Sequence, residues 1–259
     1  MGCNTTPGEN MKKIGIIGGS GLEDPDILQN AKDLEVITPY GEPTSPLVCG
    51  AIDGVEVMLI SRHGRRHQFS PSEVNYRANI HALKDQGATH ILATTACGSL
   101  KEKIHPGDFV ILDQFIDFAK MRKNTFFDSF EHLDLSAHSP MADPFDKHLR
   151  DLLIQSGREL GLPIHETGTV VTIEGPRFST RAESRMFQAW GADVINMSVA
   201  TEAALANEAQ VPYAAVAMST DYDCWRDEEE TVSWEAIMEV FHSNAEHVKQ
   251  LLITAVSKI

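Results

Sequence analysis

The chain has 259 residues, 42% hydrophobic and 23% charged, a size and balance suited to one large α/β domain or two small ones. A formal charge of −15 argues against a nucleic-acid partner, which needs a basic surface, and no apolar run approaches the length of a bilayer span. Four scattered cysteines and eleven histidines with no metal-ligand spacing point to a reducing, cytoplasmic setting without a metal centre.

Residues 1–11 are polar and small and read as a disordered extension ahead of one domain over residues 12–259. The start Met1-Gly2-Cys3 also fits a loose acylation pattern, which is too short to outweigh a plain disordered start. Lys12 to Ile17 predicts a strand, ending in Gly18-Gly19-Ser20-Gly21. Glycines there allow close backbone approach to an anion, with Ser20 adding a hydroxyl and an N–H. A dinucleotide fingerprint fails, because Asp24 stands where its third glycine should be. Glu35 to Gly54 reads as irregular, punctuated by Pro39, Gly41, Pro43 and Pro46.

Val55 to Ser61 predicts a second strand, running into Arg62-His63-Gly64-Arg65-Arg66-His67, a basic cluster in an acidic chain. Arginine grips phosphate through a planar fork, so the cluster is a second anion-facing candidate. Ser70-Pro71-Ser72-Glu73 matches a capping box, which predicts a helix to about Gln86 with Gly87 as its stop. His90 to Thr95 predicts a third strand, and Ala96-Cys97-Gly98-Ser99 a loop of small residues after it. Phe109 to Ile116 predicts a fourth strand, and Lys120 to Ser139 a long loop holding His132 and His138.

Asp143-Pro144 predicts the start of a helix ending at Gly161, Gly168 to Ile173 a strand, and Thr180 with Glu183 a capped helix to about Trp190. A strand over Asp193 to Ser198, a helix over Thr201 to Ala209 and a strand over Tyr213 to Thr220 follow. Asp221 and Asp223 stand at the end of that last strand, where open α/β sheets bind ligands. Two acids suit a proton or a pair of N–H donors; a turn is the plainer alternative. A final helix from about Ser233 to Val256 carries Trp234, Ile237, Met238 and Phe241 on one face, its first turn a candidate ligand wall. Alternating strands and helices, with no repeat and no clear linker, give an α/β single domain.

The stretches Gly15–Gly21, Arg62-His63-Gly64, Thr94–Ser99, Thr172–Ser179, Asn196-Met197 and Thr220–Trp225 together resemble the trimeric purine nucleoside phosphorylase family, and within it the members that act on 5'-methylthioadenosine. The resemblance implies a central mixed β-sheet flanked by helices, a homotrimer with sites near subunit interfaces, and no metal or organic cofactor, with inorganic phosphate as co-substrate. It assigns phosphate binding to Ser20, Arg62, His63, Thr95, the Ala96 N–H and Ser198, ribose packing to Met197, and base contact to Ser179, Asp221 and Asp223. It makes Asp221 and Asp223 catalytic, and lines a 5'-substituent pocket with Trp234, Ile237 and Met238, joined by His138 from a neighbouring subunit.

In such a reaction phosphate attacks C1' and the base departs, helped by a proton at N7. A 6-aminopurine offers an exocyclic N–H donor that a carboxylate accepts; a 6-oxopurine presents an acceptor there instead. Asp221 and Asp223 therefore predict a 6-aminopurine, and, with the apolar 5' pocket, the resemblance implies phosphorolysis of methylthioadenosine. Adenosine, inosine, guanosine and methylthioinosine remain alternative substrates, and a dinucleotide-dependent oxidoreductase and a non-catalytic nucleoside sensor remain rival classes.

Overall fold

A computed structural model describes residues 12–19, 26–129, 138–226 and 233–259, with the side chains of Trp234 and Ala236 outside that description. In chain order the elements are β1 (Lys13–Gly18), β2 (Gln29–Leu34), β3 (Leu47–Ile52), β4 (Val55–Ser61), α1 (Tyr76–Asp85), β5 (His90–Ser99), β6 (Phe109–Ile111), β7 (Gln114–Phe118), α2 (Lys147–Glu159), β8 (Ile164–His165), β9 (Thr169–Ile173), α3 (Arg181–Ala189), β10 (Val194–Asn196), α4 (Val199–Glu208), β11 (Tyr213–Asp221) and α5 (Trp234–Val256). The strands form one mixed sheet in the order β2-β3-β4-β1-β5-β10-β9-β7; β11 joins both β5 and β6, and β8 joins β6. The expected α/β class with a mixed central sheet is what the chain adopts.

β5 is the branch point. Its first half pairs in parallel with β1, its length pairs in parallel with β11, and its end, at Gly98 and Ser99, pairs antiparallel with β10. Parallel β4, β1, β5 and β11 bring their carboxyl ends to one edge, with Gly18 opposite Ser61 and Val216 opposite Thr94. Both faces of this region are buried, so its strands read as continuous apolar runs. Along β11 the pleat sends Tyr213, Ala215 and Ala217 into one apolar cluster with α1 and α4. Ala214, Val216 and Met218 enter the other, with α2 and α5. A third cluster, with Val171, Ile195 and Phe187 of α3, covers the β9–β10 side.

Several predicted boundaries move, each for a local reason. The Glu35–Gly54 stretch is not irregular throughout: Leu47–Ile52 is a strand, hydrogen-bonded antiparallel to β4. β2 is an exposed edge strand of polar residues and carries no apolar pattern to detect. The Phe109–Ile116 strand is two strands, broken where Asp113 turns to bond Gly168 and the chain leaves β11 for β9. Ser70–Glu73 forms a turn closed by the Glu73 N–H on the Ser70 carbonyl, and α1 is instead capped by Asn75, which accepts from the Ala78 N–H at 3.1 Å. Likewise Asp146, not Asp143, caps α2. The Thr180–Glu183 capping box of α3 is formed as predicted. Ala96–Ser99 is no loop but the second half of β5.

Candidate functional site

At the carboxyl edge lies a cavity of about 450 Å³. His63 follows β4, Thr95 to Gly98 come from β5, Asn196 ends β10 with Met197 and Ser198 after it, Ser179 precedes α3, Asp221 ends β11 with Asp223 just beyond, and Ile237 faces in from α5. Nine sequence-predicted residues thus meet in one place: His63, Thr95, Ala96, Ser179, Met197, Ser198, Asp221, Asp223 and Ile237.

One end gathers hydrogen-bond donors. Ser198 is the N-cap residue of α4, yet its side chain makes no capping bond, and it lines the cavity. The positive end of the α4 dipole points to the same place, a setting that favours an anion. Asn196 holds this end together: its Oδ1 accepts from Thr172 Oγ1 at 2.7 Å and its Nδ2 donates to Thr95 Oγ1 at 3.3 Å. Thr172 Oγ1 in turn accepts from the Ala200 N–H at 3.1 Å. The His63 Nδ1 lies 3.0 Å from the Phe69 carbonyl, which only accepts, so that nitrogen carries the proton. The His63 ring stacks on His67 at 4.7 Å, and His67, at φ +52°, also lines the wall.

The other end is acidic. β11 shifts register between Ser219 and Asp221, opposite Cys97 and Gly98, and such irregularities re-aim side chains. The Asp221 carboxylate is then fixed from two sides, by the Thr220 hydroxyl on Oδ2 and the Asp223 N–H on Oδ1, both at 2.7 Å. Asp223 sits at φ +51°, a left-handed conformation that Asp tolerates better than most residues. Burial pushes its carboxyl pKa up, with the Cys224 N–H pulling partly back. Cys97, between the acids and the core, is pushed well up by burial and by the Asp221 charge, so it stays a thiol. Gly98 makes room for the pair: a Cβ there would lie 3.0 Å from Asp221 Oδ1 and 3.2 Å from the Asp223 Cβ. The Ser179 hydroxyl is buried with no hydrogen-bond partner among the described residues.

Between the ends, Met197 forms a sulfur-bearing wall and fits only because Gly175 has no side chain. A Cβ on Gly175 would stand 2.4 Å from the Met197 sulfur. Phe178, partly exposed, offers an aromatic face on the same cavity.

Three predicted residues do not line this cavity. Arg62 is 1% exposed beneath the anion end. Its Nε and Nη2 bond both Glu202 oxygens at 2.5 and 2.9 Å, and its Nη1 bonds the Thr94 carbonyl at 2.8 Å. Burial works against its charge, but Glu202 outweighs it and the pKa is raised. Tyr213 adds a hydroxyl on Glu202 at 2.8 Å. Arg62 thus ties α4 to β5 below the cavity rather than facing into it, because its fork found a carboxylate 140 residues away. His138 is exposed and Met238 half-buried, both outside the lining of their own chain's cavity. Ser20 and the Trp234 side chain lie outside the described residues, as do His132 and the N-terminal extension.

Sequence reasoning missed Asn196 as the hub of the anion end, Gly98 as the space behind the acids, and Arg122, whose side chain bonds the Met197 and Glu174 carbonyls. Among the described residues no group of three or more His, Cys, Asp or Glu is placed to hold a metal ion. Among them, too, no helix is long and apolar enough to cross a membrane.

An acid pair stands across one cavity from an edge whose setting favours an anion, and the family model of the phosphorylase superfamily matches residues 13–257. The chain belongs to that superfamily. It is 53% identical over 249 residues to the S-methyl-5'-thioadenosine phosphorylase of Xenopus tropicalis, covering 95% of this chain and 89% of the relative. The enzyme of the same name from Thermofilum pendens is 50% identical over 247 residues, with 95% and 92% covered. Among solved structures, the methylthioadenosine phosphorylase of Schistosoma mansoni in complex with adenine superposes with a TM-score of 0.90 at 44% identity, over 95% of this chain and 91% of that one. A variant of the Schistosoma enzyme bound to methylthioadenosine gives a TM-score of 0.88 at 43% identity, with 95% and 91% covered.

Proposed function

We propose that this chain is an enzyme that cleaves 5'-methylthioadenosine with inorganic phosphate, releasing adenine and 5-methylthioribose 1-phosphate. The observation that carries the reading is the acid pair Asp221 and Asp223 facing an anion-favouring edge across one cavity, in a chain half identical to methylthioadenosine phosphorylases over nearly its whole length.

Phosphate is a co-substrate, held by the Ser198 and Thr95 hydroxyls, the Ala96 N–H and His63 near the start of α4, with Ser20 as a further contact. Its oxygen attacks C1' as the C1'–N9 bond breaks, and electrons flow into the purine. A proton at N7 neutralises that charge. Ionised carboxylates accept the 6-amino N–H and the N7–H, and an acid–base group of this kind contributes about 10²–10⁴-fold. Because burial disfavours the charge on Asp223, that carboxyl holds a proton more readily than a solvated one would. Ser179 contacts the base and Met197 packs under the ribose. Ile237, which faces the cavity from α5, favours an apolar 5' substituent. No metal or organic cofactor is required by this chemistry.

His138 serves the site of a neighbouring copy in a homotrimer, and the enzyme works in the cytoplasm, where purine and methionine salvage consume its products. Light scattering would weigh the assembly. Adenine release from methylthioadenosine, adenosine, methylthioinosine and inosine, with and without phosphate, tests the activity. Methylthioadenosine cleavage that needs phosphate is expected; cleavage without phosphate, or equal rates on inosine, would refute it.

A further inference from the structure

Arg122 follows β7 in a segment with no regular structure, yet its side chain is only 3% exposed. A guanidinium carries five N–H donors and no acceptor. Five acceptors surround this one. Nε donates to Glu174 Oε1 at 3.2 Å. Nη1 donates to the Met197 carbonyl at 2.5 Å and the Tyr76 hydroxyl at 3.1 Å. Nη2 donates to the carbonyls of Glu174 at 2.6 Å and Ile173 at 3.4 Å. Its donors are therefore spent on the protein, and none is left for substrate.

Four of the five acceptors lie at the ends of two strands that carry the nucleoside side of the cavity; the fifth, the Tyr76 hydroxyl, is on the first residue of α1. Met197 follows β10, and Ile173-Glu174 leads into the segment with Phe178 and Ser179. Glu174 is itself anchored, by the Ser72 hydroxyl at 3.0 Å and the Lys120 and Met121 N–H groups at 2.7 and 3.0 Å. Burial opposes its ionisation, but those donors outweigh it and lower its pKa. The anion end has its own fastening, through Asn196, Thr172, Thr95 and the Ala200 N–H, and meets Arg122 only at the peptide that joins Met197 to Ser198.

We infer that Arg122 is a positioning residue for the nucleoside: it locks the Met197 carbonyl to the Ile173–Glu174 strand end. That lock sets the ribose wall relative to the segment that meets the base. The inference rests on the phosphorolysis reading above. Lysine cannot replace it, because an ammonium presents three donors from one point rather than five in a plane.

The test uses Arg122→Lys and Arg122→Ala in the full chain, varying methylthioadenosine at saturating phosphate and phosphate at saturating nucleoside. Both variants should lose about 10²-fold in kcat/KM for the nucleoside, the scale of an ångström-sized misplacement. The KM for phosphate should rise much less than that for the nucleoside, since among its holders only Ser198 adjoins a group that Arg122 binds. Guanidinium ion should restore part of the Arg122→Ala rate without raising its thermal midpoint. A near-normal Arg122→Lys enzyme, a phosphate KM that climbs with the nucleoside KM, or a folded Arg122→Ala enzyme that guanidinium cannot rescue would overturn the inference. If Arg122→Ala does not fold, the Arg122→Lys kinetics decide alone. An unmodified enzyme with no phosphate-dependent cleavage would overturn the functional reading first, and this inference with it.

Discussion

Gly98→Ala tests whether the acid pair works by position. The added methyl would stand 3.0 Å from Asp221 Oδ1, 3.1 Å from an Ile195 methyl and 3.2 Å from the Asp223 Cβ. Carbon contacts prefer about 3.5–4.0 Å, so each neighbour must give by several tenths of an ångström. The backbone of Gly98 cannot retreat, because it is paired with Ile195 of β10 on one side and Asp221 of β11 on the other. What yields is the carboxylate end of β11, at the cost of the two 2.7 Å bonds that aim Asp221. A full ångström of misplacement costs about 10²-fold, so a shift of roughly half that should cost about tenfold in kcat/KM. Overpacking costs about 1–3 kcal/mol, which a domain with about 5–15 kcal/mol of stability survives. Initial rates of phosphate-dependent adenine release, beside a thermal melt, give the answer. A folded Gly98→Ala enzyme with unchanged kcat/KM would refute the idea that the pair's placement limits the reaction.

Three further outcomes follow from the same geometry. Asp223 has its pKa raised above 3.8 by burial, so its charge costs stability above the raised value, and that cost disappears below 3.8. Asp223→Asn, which tolerates φ +51°, should melt higher at neutral pH, lose that advantage in acid, and turn over about 10²-fold more slowly; a lower neutral melting point would contradict the burial argument. Asp221→Asn should cut methylthioadenosine cleavage by about 10²–10⁴-fold while improving the relative rate on methylthioinosine, read by chromatography of released bases. Gly175→Ala puts a Cβ 2.4 Å from the Met197 sulfur at φ +67°, so it should destabilise the fold by about 1–2 kcal/mol or more and raise the nucleoside KM, measured by melting and steady-state kinetics.

The strands facing apolar layers on both sides were legible because burial writes itself as uninterrupted apolar runs, as in β4 and β11. The α3 cap was legible because all its partners lie within four residues. The second half of β5 was not: Ala96 to Ser99 are small because the site crowds against them, and smallness reads as a loop. Arg62 was read as a fork for phosphate, but its fork closes on Glu202, 140 positions on, and no local pattern announces that pairing. Arg122 left no signal at all. Three of its five acceptors are backbone carbonyls, which every residue has.

β5 has a consequence for how substrate range can change in this fold. Thr95 at the anion end and Gly98 behind the acids are three residues apart on one strand, hence roughly 10 Å at about 3.3 Å per residue. That strand acts as a ruler whose length neither neighbour can alter. Inserting or deleting a residue in it would flip every later side chain to the opposite face and ruin both ends at once. New base preferences should therefore arise by substitution at the end of β11 or in the Glu174–Ser179 segment, while the distance from nucleophile to leaving group stays inherited.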